Sequence, residues 1–157
     1  MENQLTILAE SLDKKIQVLA EIQEYNKVQE QAFLAETVKL DDFDKAVEEK
    51  GRLIEQLNRL DEGFETMYAK LSEQLKANRD KYAKEISGLQ NLIAQVTEMS
   101  VTIQAQEKRN KQLVEQFFAK ERAGLRQNRK SSKAAYDYYK GMSNNSFVQP
   151  QYYDSKK

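Results

Sequence analysis

Between Phe43 and Leu75 the chain repeats a single pattern of apolar positions. Phe43, Val47, Lys50, Ile54, Leu57, Asp61, Phe64, Tyr68, Leu71 and Leu75 follow one another at spacings that alternate four and three. Such spacing is the seam of a helix covered by other helices rather than by a sheet. It predicts a helix over 41–77 that serves as the central stave, with helices from before and after it on either side. Two seam positions, Lys50 and Asp61, are charged. Lys50 reads as a register device, its stem packed along the seam and its ammonium reaching solvent or a carboxylate on a neighbouring helix.

Upstream, Leu5, Leu8, Leu12, Ile16, Leu19 and Ile22 recur at three or four, and Asn26, Gln29 and Phe33 extend the phase. A first helix over 3–37 follows, with looser packing expected in its more polar second half. Val38 to Asp42 breaks the pattern. Asp41 is expected to cap the next helix, and Asp42 and Asp44 add negative charge where the helix dipole favours it. A connection this short makes the two helices antiparallel.

The next boundary is contested within the sequence itself. No proline or glycine lies between Leu75 and Ile86, so local propensity would let the helix continue. A helix matched in length to the first, however, loses its cover near Asn78, which favours a turn at 77–81. From Tyr82 apolar residues return at Ile86, Leu89, Leu92 or Ile93, Val96, Met99 and Ile103, then at Leu113, Val114, Phe117 and Phe118. Gln106 and Asn110 fall between them in core-facing phase, as register-fixing polar residues or a hydrated layer. This predicts a third helix over 81–140.

Composition agrees with thin helices. Of 157 residues 39% are hydrophobic and 32% charged, with one proline and five glycines, which suits narrow buried stripes and leaves too little punctuation for many strands. The expected fold is all-α: a three-helix, coiled-coil-like bundle of long antiparallel helices over 1–142, with a C-terminal helical extension and a flexible aromatic tail over 143–157. Net charge is zero, so no global field draws the chain to nucleic acid or an anionic membrane. Acids outnumber bases about two to one up to Glu65, and the balance reverses from Lys108 to Lys140. Charge complementarity between neighbouring helices accounts for this, and a docking surface for an acidic partner is the alternative.

With no cysteine and no histidine, disulfides, thiol chemistry and the commonest metal ligand and acid/base group are excluded. The adjacent carboxylates Asp41 and Asp42, or Glu48 and Glu49, point in different directions on a helix. No phosphate loop or nucleophile elbow occurs. A non-enzymatic protein with no metal and no cofactor is expected. The N-terminus lacks a basic segment followed by an apolar run, and no window approaches a membrane span, so a cytoplasmic protein without membrane insertion is expected.

Past Phe118, Arg122, Arg126, Arg129 and Lys133 form a basic stripe, which reads as a solvated face rather than a nucleic-acid site. Phe147, Tyr152 and Tyr153 stand in an otherwise polar tail. Such a tail either packs back on the bundle or docks on another protein.

Three stretches resemble the flagellar export chaperone family FlgN, in its Gram-positive form. They are Glu48-Glu49-Lys50-Gly51-Arg52-Leu53-Ile54, then Glu107-Lys108-Arg109-Asn110, then the ending from Ser132 to Met142 followed by Tyr152-Tyr153-Asp154-Ser155-Lys156-Lys157. The resemblance implies a cytoplasmic chaperone of flagellar type III secretion. Such a protein binds the C-terminal amphipathic helical segments of hook-filament junction (hook-associated) proteins, prevents their premature assembly and delivers them to the export gate. By the family pattern, Leu113, Phe117, Phe118 and Leu125 are candidates for the substrate groove, although Leu113 and Phe117 would serve equally as ordinary core. Tyr136, Tyr138, Tyr139, Tyr152 and Tyr153 are candidates for docking on the export gate. The alternative is a structural coiled-coil adapter whose seam serves only self-association.

Overall fold

The computed structural model describes residues 2–123 together with 137 and 138. Over these residues the protein is an all-α helical bundle of three helices, α1 (Glu2–Leu34), α2 (Leu40–Ala77) and α3 (Ala83–Ala123). Asp137 and Tyr138 are also helical. Leu125 and the rest of the expected extension and tail lie outside the described residues.

The central stave is α1, not α2. α1 packs closely along both other helices, whereas the backbones of α2 and α3 barely approach each other. The buried faces explain the correction. α1 buries neighbouring positions such as Val18 and Leu19 in addition to Leu5, Leu8, Leu12, Lys15 and Ile22, a stripe wide enough for two partners. Along most of α2 the buried line is narrow, with Lys50, Leu57, Phe64 and Leu71 one heptad apart. A clean seam is what a helix needs to face inward once, and its regularity does not mark the middle.

At the first connection the expected capping role of Asp41 is also corrected. α2 begins at Leu40, preceded by Lys39 without any side-chain cap, so Asp41 and Asp42 lie inside the first turn. There they act on the exposed amide dipoles by charge rather than as a cap. The connection closes through the Lys39 amide, which donates to the Ala32 carbonyl at 3.0 Å. The second connection is a turn over 78–82. Helix-type hydrogen bonds carry through it, from Tyr82 N–H to the Asn78 carbonyl and from Ile86 N–H to the Tyr82 carbonyl. The Asn78 side chain donates back to the Gln74 carbonyl at 2.9 Å. Tyr82 is buried there among Leu5, Leu75 and Leu89, at the closed end of the main apolar core.

That core runs from Leu5, Leu75 and Tyr82 up to Ile22, Leu57 and Ile103. It contains one ion pair, between Lys15 of α1 and Asp61 of α2. Beyond it the interior turns polar, with Asn26, Gln29, Lys50, Glu107 and Asn110 all buried. A second, smaller apolar cluster follows at the other end, built on Ala32, Phe43 and Val114.

Candidate partner-binding site

The polar belt separates a long core from a short one, and hydrogen bonds run through it, although the buried Asn26 Oδ1 is left without a partner. Asn26 donates to the Gln106 side-chain oxygen at 3.1 Å, and Gln106 donates to the Gln23 carbonyl at 3.3 Å. Asn110 donates to the Asn26 carbonyl at 3.0 Å. These bonds fix the register of α3 on α1, as the core-facing phase of Gln106 and Asn110 predicts, and Gln106 itself is half-buried. Between α2 and α3, Lys50 reaches the buried Glu107 carboxylate and also donates to Gln29 of α1 at 2.9 Å. The two helices whose backbones stay apart are thus bridged by a long lysine.

The electrostatics follow from burial. Removal from water holds the Lys50 ammonium down to about 8, with the Glu107 carboxylate opposing that shift. Burial likewise pushes Lys15 down and Asp61 up, each opposed by its partner. Desolvation outweighs pairing at both sites, so these charges specify register at a cost in stability.

Beyond the belt, aromatic rings from all three helices meet. Phe33 of α1 stands edge-on to Phe43 of α2 at 4.8 Å between centroids, and to Phe117 of α3 at 5.4 Å. Phe117 and Phe118 are 6.1 Å apart. Phe43 is fully buried, while Phe33, Val47, Leu113, Phe117 and Phe118 keep partial exposure. The cluster is therefore a half-finished core, with apolar rings still open to solvent at the end of the bundle. Of the residues assigned to a substrate groove, Phe117 and Phe118 are brought together here and Leu113 lies one turn away on the same helix.

Tyr138 joins the site from the C-terminal segment. Its ring lies over the Lys50 ammonium at 4.7 Å from the centroid, and its hydroxyl donates to the Glu107 carboxylate at 3.3 Å. It is half-buried against the small cluster. Tyr136, Tyr139, Tyr152 and Tyr153 lie outside the described residues. Lys15, Gln29 and Glu107 escape a reading of the sequence as site residues. For Glu107 the signal was present, since it lies one heptad before Val114, but a charge at that position looks like an interruption. Neither family models nor curated proteins nor solved structures match the chain.

Proposed function

We propose that this protein is a cytoplasmic chaperone of flagellar type III secretion, which holds the C-terminal amphipathic helices of hook-filament junction proteins unassembled and delivers them to the export gate. The observation that carries this reading is the aromatic cluster of Phe33, Phe43, Phe117 and Phe118, half-covered and cut off from the main core by the polar belt. An amphipathic helix laid against it would complete the burial that the bundle leaves unfinished. The lysine and glutamate from two of the stretches that carry the family resemblance, Lys50 and Glu107, also meet directly beside this cluster.

The adapter alternative draws less support. Its dimer would form through the α2 seam, yet Phe43, Leu57, Phe64 and Leu71 are buried within one chain. Native purification at low salt from cells assembling flagella tests the chaperone reading. Recovery of a hook-filament junction protein is expected. Recovery of none, together with normal filaments in a deletion strain, would contradict it.

A further inference from the structure

Tyr138 occupies a boundary between the polar belt and the small apolar cluster. Although it follows Ala123 in the chain, it sits beside Glu107, which at 1.5 Å per residue lies roughly 24 Å back along α3 from that helix end. The chain has therefore turned back onto the bundle by the time it reaches Tyr138. The polar side of its seat is the edge of the belt. There the buried Lys50 ammonium of α2 donates to Gln29 of α1 and to one oxygen of the Glu107 carboxylate of α3. The Tyr138 ring lies over that ammonium at 4.7 Å, and its hydroxyl donates to the other Glu107 oxygen at 3.3 Å. On the apolar side Tyr138, like Phe33, Val47 and Phe118, packs against the buried Ala32, Phe43 and Val114. All three helices thus contribute to the seat. A tyrosine suits such a boundary, since its body is apolar and its hydroxyl wants a hydrogen-bond partner.

We propose that the Lys50–Glu107 pair, with the small cluster beside it, is a binding site for a tyrosine side chain, and that the chain's own Tyr138 fills it and anchors the C-terminal segment to the bundle. Recognition uses both halves of the phenol. The ring face attracts the ammonium, and the hydroxyl gives the carboxylate a charge-assisted hydrogen bond. Phenylalanine would keep the first contact and lose the second, and alanine would lose both. The anchor also joins α2 to α3, whose backbones barely approach each other. With Tyr138 seated, Phe33, Phe117 and Phe118 still keep partial exposure, so the anchor does not close the aromatic end. The inference goes beyond the chaperone reading and does not rest on it, because every contact lies within one chain.

Distance measurement by electron paramagnetic resonance on the full chain tests this. The sequence has no cysteine, so Ser87→Cys and Asp137→Cys, both at exposed positions, would carry the only spin labels. Ser87 lies roughly 30 Å along α3 from Glu107, and a narrow distribution centred near that length is expected. Tyr138→Ala should replace it with a broad one. Tyr138→Phe should lower the ratio of seated to unseated segment by about tenfold, the loss of one hydrogen bond to a charged group. Neither substitution touches the main core, so both chains should keep the bundle. A broad distribution with Tyr138 in place would overturn the proposal, as would an unchanged narrow one in Tyr138→Ala. A Tyr138→Phe chain indistinguishable from the wild type would overturn it too, by showing that the hydroxyl is not recognised.

Discussion

At the scale of residues, the interior holds two lysines that reach across the bundle to carboxylates, and the account of each makes a distinct prediction. Lys15 and Asp61 oppose their own burial only in part. Asp61→Ala should therefore cost about 3 kcal/mol, because it leaves the Lys15 ammonium buried without its partner, whereas Lys15→Met combined with Asp61→Leu should be neutral or stabilising. Urea denaturation of the three chains measures this. A double variant as unstable as the single would show that the pair holds the fold rather than its register. For Lys50 the prediction concerns pH. The folded chain loses this proton near 8, below the usual value of 10.5, so above about 8 the unfolded state binds more protons and the residue's contribution to stability rises with pH. Below 8 both states are protonated and the contribution is flat. Relative to Lys50→Met, the wild type should gain about 1 to 2 kcal/mol between about pH 8 and pH 9.5. A difference that stays level or falls would contradict the burial argument.

At the scale of elements, the polar belt divides α3 into a segment packed in the long core and a segment packed only in the aromatic cluster. The second segment belongs to the smaller apolar cluster and is set off by a polar boundary, so it should open without the rest. Amide exchange is expected to be faster over 114–123 than over 89–103, and uniform protection along the helix would deny the separation. How far these elements were legible follows from the residues themselves. The α2 seam stands out because eight of its ten positions are apolar or aromatic. The turn at 78–82 was readable only through length, since Asn78, Arg79 and Asp80 permit a helix. α1 as the centre was not legible, because Lys15 looks like an interruption until its partner is placed opposite it. The same holds for Glu107, whose burial depends on a lysine more than fifty residues earlier in the chain. Charged seam positions become intelligible only in pairs, and sequence spacing does not reveal long-range pairs.

At the scale of the whole molecule, the bundle closes its main core within one chain. The protein should therefore sediment as a single species of 18.3 kDa. A stable dimer that dissociates when Phe64 is replaced by serine would favour the adapter. Among the described residues the aromatic rings at one end keep partial exposure, and they carry the functional reading. Truncating a buried aromatic anchor in a recognition site typically costs 2 kcal/mol or more, about thirtyfold in affinity. Calorimetric titration of a synthetic hook-filament junction segment into the full chain, beside the double variant Phe117→Ala and Phe118→Ala, puts this to the test. The account predicts one segment bound per chain by the wild type, with a negative heat-capacity change from apolar burial, and at least a tenfold loss in a double variant that remains helical. Equal affinity in the two chains, or no binding to either, would contradict it.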